Sequence, residues 1–240
     1  AAPQAGSGAA SIVGPKAKTG MYGILMNGVS HMIPFVVTGG LLLAVAVGVG
    51  GQPGPNGMSV PEGSVWDAMW QVGVLALGLM VPILSGYIAY AIADRPGLAP
   101  GVVTGLIAVT PAVYSSDAGA GFLGGILTGL ASGYLALFLK NLNVHKYVRP
   151  IMPIIIIPVV TTTVVGGIFI YVLGRPIAGI FSSLTAWLGG MTGASAIVLG
   201  LILGAMTGFD LGGPVNKVAY VTGASLIATG NTAPAGMVGV

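Results

Sequence analysis

IMPIIIIPVVTTTVVGGIFIYV, residues 151–172, contains no charged side chain and is apolar over nearly its whole length. As an α-helix this stretch would extend about 33 Å, which is enough to cross the hydrocarbon core of a bilayer. An outer-membrane barrel would instead show strands of about ten residues with alternating polarity, and this stretch does not alternate. The segment therefore predicts a membrane-spanning helix.

Charge-free stretches of similar length occur along the rest of the chain, at residues 68–93, 96–116, 118–139, 176–209 and 218–240. The chain is 55% hydrophobic and 5% charged, whereas about a quarter of the residues in a soluble domain are charged. This composition predicts an all-α, polytopic integral membrane protein with about six to eight transmembrane or re-entrant helices. Residues 1–20 are rich in Ala, Gly, Ser and Pro and resemble a linker, so we expect the membrane domain over residues 21–240.

The charged loops predict an orientation. The loop at 140–149 contains three basic residues, and the turn at 94–96 is also charged, so we expect both in the cytoplasm. The loop at 50–64 has no Lys or Arg and is expected outside. The segment at 101–113 is short, and we expect it to be tilted, re-entrant or only partly inserted.

Composition also excludes several classes of function. The net charge of +3 comes from loop residues close to the membrane, so nucleic acid is not an expected partner. The chain has no cysteine and only two histidines, His31 and His145, which excludes disulfides and thiolate metal sites. We expect no metal and no cofactor.

Two rows of small residues at four-residue spacing predict close packing between helices or between subunits. Alternatively, they reflect only the abundance of glycine, with 42 in 240 residues. The first row is Gly121, Gly125, Gly129 and Gly133, and the second is Ala196, Gly200, Gly204, Gly208 and Gly212.

A polar, glycine-rich break at residues 208–217, GFDLGGPVNK, separates two apolar segments. Irregular backbone at membrane depth is tolerated where it is buried in protein or lines a cavity, and its free amides and carbonyls can bind a polyol. The alternative is an ordinary interfacial loop in which Asp210 pairs with Lys217. The candidate substrate-binding residues are Asp210, Gly212, Gly213, Pro214, Asn216 and Lys217.

His31 and Arg149 each leave two interpretations open, whereas one is favoured for the hydroxyls at 161–163. His31, three residues before the helix-disturbing Pro34, is either a ligand contact or a structural histidine, at the membrane interface or hydrogen-bonded between helices. Arg149 is either a lipid-facing anchor or an electrostatic aid to an incoming phosphate. The hydroxyls of residues 161–163 are expected to bond back to their own helix rather than to a substrate.

Five segments, in order, resemble the membrane-embedded enzyme IIC component of the fructose family of bacterial sugar phosphotransferase systems. They are 28–43 (GVSHMIPFVVTGGLLL), 85–100 (SGYIAYAIADRPGLAP), 121–134 (GFLGGILTGLASGY), 149–163 (RPIMPIIIIPVVTTT) and 208–220 (GFDLGGPVNKVAY). The linker-like start also fits a IIC domain that follows a IIB domain in one polypeptide.

The resemblance implies group translocation across the bacterial inner membrane. The sugar, fructose or a relative, is bound outside and phosphorylated by the phosphocysteine of a IIB domain as it moves inward. A glucose-superfamily IIC fold, a homodimer and a hairpin tip at 210–217 are also implied. The family's Ile-Thr-Glu-Gly-type motif, whose glutamate contacts the sugar, is not present before Val240, so we expect a sequence that is incomplete at its C-terminus.

Two other functions compete with this one. A secondary transporter or channel would move its solute unmodified and would equally use broken, glycine-rich helices. A structural membrane subunit without a substrate would gain nothing from the polar break at 208–217. Whether the chain is an enzyme is left open, because in the family the phosphoryl donor lies on the IIB domain.

Overall fold

The computed structural model describes residues 20–54, 57–116, 119–189, 201–202 and 204–205. Seven α-helices follow one another in these ranges, together with a short antiparallel hairpin of strands β1 and β2, one 3₁₀-helix and two π-helical segments. In chain order they are α1 (Met21–Gly50), β1 (Gln52–Gly54), β2 (Gly57–Ser59), α2 (Val65–Gly78), α3 (Met80–Ala93), α4 (Arg95–Val109), the 3₁₀-helix (Pro111–Tyr114), α5 (Gly121–Lys140), π (Met152–Ile156), α6 (Ile157–Ile168), π (Phe169–Leu173) and α7 (Gly174–Gly189).

The described residues include four stretches long and apolar enough to cross a membrane: Met21–Gly50, Val65–Ala93, Gly121–Lys140 and Met152–Ile180. The shorter helix α4 is also apolar. This confirms the all-α membrane fold. The hairpin of β1 and β2, which the sequence did not predict, is confined to the loop between α1 and α2.

Proline determines where the second span is interrupted. The sequence predicted one span over the charge-free stretch at 68–93, and the structure divides this region into α2 and α3 at Leu79. Pro82 has no N–H to donate to the carbonyl of Gly78 four residues earlier, so the helical ladder is broken there. Pro34 lies inside α1 as well, yet α1 remains one helix of 30 residues.

Helices α3, α4 and α5 pack closely because glycines face α3 from both neighbours. A Cβ atom on Gly129 of α5 would lie 2.8 Å from the Ser85 carbonyl oxygen, and one on Gly101 of α4 would lie 2.9 Å from the same atom. Gly133 likewise meets Ala89. The glycine row of α5 therefore forms a contact between helices, as predicted, although Gly121 itself has a positive φ of 52° at the start of α5.

The second predicted row, at residues 196–212, lies almost entirely outside the described residues. A third row, which the sequence analysis did not single out, runs along α4. It comprises Gly97, Gly101 and Gly105, each too close to α3 to accept a Cβ. Its spacing is the same four residues that marked the row in α5, so the signal was present in the sequence.

The turn at Asp94 and the end of α5 lie at the same end of the bundle. The Lys140 ammonium donates to an Asp94 carboxylate oxygen at 2.6 Å and to the Ala93 carbonyl at 3.3 Å. The two loops predicted to be cytoplasmic are therefore neighbours. We call this the basic end of the bundle.

At the opposite end, Tyr114 joins the loop after α4 to the second π-helical segment and to α7. Its hydroxyl donates to the Ala108 carbonyl and accepts from the Ala120 N–H, both at 2.9 Å. Its ring meets the edge of Phe169, and its carbonyl accepts from Arg175 Nε at 3.2 Å. Burial raises the pKa of the Tyr114 hydroxyl above its ordinary value.

Candidate functional site

Six of the seven predicted site residues lie outside the described residues. These are Asp210, Gly212, Gly213, Pro214, Asn216 and Lys217. The structure therefore bears on the seventh, His31, and on the polar groups around it.

His31 lies well inside the first span, and its ring is hydrogen-bonded to the backbone of its own helix. It is ten residues beyond the start of α1, which corresponds to about 15 Å along the helix. Its Nδ1 is 2.8 Å from the Asn27 carbonyl oxygen. Because a carbonyl can only accept, Nδ1 carries a proton and donates this hydrogen bond, and in the Nδ1–H tautomer Nε2 is left as an acceptor.

The ring of His31 is held by an aromatic contact with α3. It stacks on Tyr87 with ring centroids 3.8 Å apart and planes inclined by 11°. Tyr90 lies 5.9 Å from Tyr87, and the Asn27 side-chain amide donates to the Tyr87 carbonyl at 2.8 Å. We call Asn27, His31, Tyr87 and Tyr90 the His31 patch.

The His31 patch is polar, aromatic and only partly covered by the described residues. His31 and Tyr90 are exposed, and Asn27 and Tyr87 are half-buried. Polar groups at this depth in a bilayer are costly unless protein, water or a ligand covers them. The two tyrosines were not predicted as site residues, although their i, i+3 spacing places them on one face of α3.

Other polar side chains in the helix core bond to one another. Ser85 and Thr128 hydroxyl oxygens are 3.1 Å apart, and those of Thr104 and Ser132 are 2.9 Å apart, all buried. These two pairs connect α3, α4 and α5 and are structural. Among the residues that the structure describes, no group of three His, Cys, Asp or Glu side chains is placed to hold a metal ion.

Thr161 departs from the prediction that the hydroxyls at 161–163 bond back to their helix. Its side chain is fully buried, and its hydroxyl has no hydrogen-bond partner among the described residues. In contrast, the hydroxyls of Thr104 and Thr128 each reach a carbonyl of their own helix, at 2.8 and 2.9 Å. The difference depends on side-chain rotamer and on which helix face is buried, and the sequence reveals neither.

A second polar site lies at the basic end of the bundle, between α5, the loop that follows it and the start of α6. It is a cavity of about 400 Å³. Its polar lining consists of Lys140, Asn141, Asn143 and Arg149, and Pro96 and Ile157 contribute to its apolar wall. Arg149 was predicted to be either a lipid anchor or an aid to a phosphate, and the structure places it on this cavity.

Comparison with known proteins identifies a family. The family model described as "Phosphotransferase system, EIIC" matches residues 26–237. The "Fructose-like permease IIC component 2" of Escherichia coli (strain K12) is 45% identical over 197 residues, covering 82% of this chain and 52% of that protein. The "PTS system fructose-specific EIIC component" of Haloferax volcanii is 45% identical over 224 residues, covering 88% of this chain and 59% of that protein.

A longer relative is the "PTS system fructose-specific EIIB'BC component" of Xanthomonas campestris pv. campestris. It is 46% identical over 230 residues, covering 95% of this chain but 38% of that protein. The chain thus spans less than two thirds of the length of each of these curated relatives. No solved structure gives a significant match. Because the family model covers most of its length, this chain belongs to the EIIC family of the phosphotransferase system.

Proposed function

We propose that this chain is part of the membrane-embedded sugar permease subunit of a phosphotransferase system. In this proposal it binds fructose or a related sugar from outside and presents it for phosphorylation by a IIB domain during inward translocation. The observation that carries the proposal is the family match over residues 26–237 together with relatives whose names specify fructose. The four apolar helices long enough to cross a membrane support the permease role.

We propose that the sugar site combines the His31 patch with the polar break at 208–217. The Nε2 atom of His31 accepts a hydrogen bond from a sugar hydroxyl, and the tyrosine rings offer apolar faces for the sugar's C–H groups. Asp210, Gly212, Gly213, Pro214, Asn216 and Lys217 supply further acceptors and donors. A polar patch within an apolar span needs such a partner, and this requirement supports the assignment.

The partner and the assembly are part of the same proposal. Relatives named EIIB'BC and EIIABC carry B components in the same polypeptide, which supports a IIB phosphocysteine domain as the phosphoryl donor. Residues 1–20 then serve as a linker to such a domain. A homodimer of glucose-superfamily IIC folds with six to eight spanning or re-entrant helices in the inner membrane completes the assembly that the family resemblance implies.

Transport by the full-length protein tests this function. We would express it in a bacterial host lacking fructose uptake, supply radiolabelled fructose, and separate free sugar from sugar phosphate inside the cells. We expect sugar phosphate to accumulate in a manner that depends on phosphoenolpyruvate. Unmodified fructose accumulating on an ion gradient would instead identify a secondary transporter.

The same assay tests the His31 patch. His31→Ala removes the Nε2 acceptor and the ring stacked on Tyr87, so we expect uptake to fall by about tenfold or more. Ser30→Ala is the matched control, because Ser30 is the adjacent exposed residue and its hydroxyl bonds to the Met26 carbonyl of its own helix. Equal uptake by both variants would show that His31 does not contribute to the sugar site.

A further inference from the structure

The cavity at the basic end has the size and position of a small-molecule site. Its volume of about 400 Å³ lies within the range of roughly 300–1,000 Å³ found for ligand pockets. It opens beside the ion pair of Asp94 with Lys140. The basic loop predicts that this end faces the cytoplasm.

The polar lining of the cavity is positively charged. Lys140 and Arg149 contribute two cations, Asn141 and Asn143 contribute side-chain amides, and no acidic side chain among the described residues lines the cavity. The Arg149 side chain forms no ion pair with a described residue. Its five N–H donors therefore remain available to a ligand.

Lys140 is only partly committed to its protein partners. Its ammonium has three donors, and two of them serve the Asp94 carboxylate and the Ala93 carbonyl. The third can reach into the cavity. The Asp94 carboxylate neutralises part of the charge of the Lys140 ammonium, so Arg149 is the principal cation of the cavity.

We propose that this cavity binds the phosphate group of the phosphorylated sugar on the cytoplasmic side. A phosphate monoester carries about 1.5 to 2 negative charges at neutral pH, and both Arg149 and the partly paired Lys140 attract it. The guanidinium fork of Arg149 matches two phosphate oxygens, and the ammonium of Lys140 acts as a point charge. The asparagine amides then bond to remaining phosphate oxygens or sugar hydroxyls.

A lipid headgroup offers related phosphate chemistry, and the position of the cavity favours the soluble ester. The cavity is bounded by Pro96 at the start of α4 as well as by α5 and the region before α6, so it lies between helices instead of on a single outward face. The choice of a sugar phosphate as the ligand rests on the proposed function, whereas binding of the phosphate group itself does not.

Direct binding tests the proposal. The full-length protein in nanodiscs of zwitterionic lipid would be titrated calorimetrically with fructose 1-phosphate, inorganic phosphate and fructose. We expect Arg149→Gln to weaken fructose 1-phosphate binding about tenfold, the effect of losing a charge-assisted hydrogen bond. Fructose binding should not change. The affinity of Arg149→Lys for fructose 1-phosphate should lie between those of the wild type and Arg149→Gln, because lysine keeps the charge without the bidentate fork.

Lys146→Gln is the matched control. It removes the same charge from the same loop, but Lys146 does not line the cavity and instead lies over the Tyr147 ring, 5.2 Å from its centroid. Equal weakening by Arg149→Gln and Lys146→Gln would show diffuse attraction and overturn the proposal. No measurable binding of the ester by the wild-type protein, or unchanged binding by Arg149→Gln, would also overturn it.

Repeating the titration in nanodiscs with anionic lipid separates the two phosphate sources. If Arg149→Gln weakened the binding of anionic lipid but not the binding of the ester, the cavity would be assigned to headgroups. That result would contradict the sugar-phosphate proposal. Failure of the proposed function has a different signature. Arg149-dependent ester binding without phosphorylating uptake would support the site and contradict the permease function, and the reverse pattern would contradict only the site.

Discussion

Glycine residues in α4 and α5 set how closely these two helices approach α3. A Cβ atom added at Gly129 would lie 2.8 to 3.0 Å from the Ser85 backbone and from the branched Cβ of Ile88. None of these neighbours is the flexible end of a side chain, so the contact cannot be relieved by a rotamer change. In a membrane, where packing supplies much of the association between helices, such contacts are a major source of stability.

We therefore expect Gly129→Ala to destabilise the protein by about 1–3 kcal/mol, the usual effect of overpacking. Gly167→Ala is the control, because a Cβ there meets no atom within 4 Å. Alanine is the better helix former, so this change should leave stability unchanged or raise it by about 0.5–1 kcal/mol. Thermal unfolding of the two variants in detergent, followed by circular dichroism, checks the difference, and equal midpoints would contradict it.

The buried hydroxyl of Thr161 gives a prediction of opposite sign. Because it has no partner among the described residues, Thr161→Val removes a polar group that loses its hydration on burial, and we expect stability to rise by about 1 kcal/mol. Thr104→Val is the same substitution, but it removes the hydrogen bond between the Thr104 and Ser132 hydroxyls. It should therefore lower stability by a similar amount. Destabilisation by Thr161→Val would show that water or another part of the chain bonds to this hydroxyl. The same unfolding assay measures both variants.

Among the helices, length and local chemistry determine which features the sequence could reveal. Apolar stretches predicted the spans, and their order is confirmed over the described residues. The break at Leu79 was missed because Pro82 lies within an otherwise continuous apolar run, and proline is tolerated in many membrane helices. Helix α4 has 15 residues and a length of about 22 Å, shorter than a bilayer core of about 30 Å, so the segment is short as predicted. Its bounds differ from the prediction of 101–113, because the helix begins at Arg95 and ends at Val109.

Tyr114 stabilises the loop after α4, and a substitution of Tyr114 tests this. Tyr114→Phe deletes the hydroxyl that bonds to Ala108 and Ala120 but keeps the ring on Phe169. We expect a loss of about 1 kcal/mol in unfolding free energy. Tyr171→Phe is the matched control, since Tyr171 is 87% exposed. Hydrogen exchange of residues 110–120 should accelerate in the first variant only; equal exchange in both would mean that the ring alone holds this loop.

In the whole molecule, the candidate site was the least predictable feature. The sequence identified His31 because it is one of few polar residues in an apolar span, but it could not show that Tyr87, 56 positions later, stacks on it. That contact depends on the packing of α1 against α3, which no local pattern encodes. Similarly, Lys140 and Arg149 were recognised as basic loop residues, and only the fold brings both of them to one cavity with Pro96.

The orientation of the molecule gives the last prediction. The loop between α1 and α2 and the loop after α5 are expected on opposite sides of the membrane, with the latter in the cytoplasm. This sequence has no cysteine, so single cysteines can report on each side once any other cysteines of the full-length protein are replaced. In spheroplasts, we expect a membrane-impermeant maleimide to label Glu62→Cys. Lys146→Cys should be labelled only after permeabilisation. Ser132→Cys, at a buried position, should stay unlabelled in both conditions and serves as the control. Labelling of Lys146→Cys in intact spheroplasts would show the opposite orientation, and the cavity that we propose to bind phosphate would then face away from the cytoplasm.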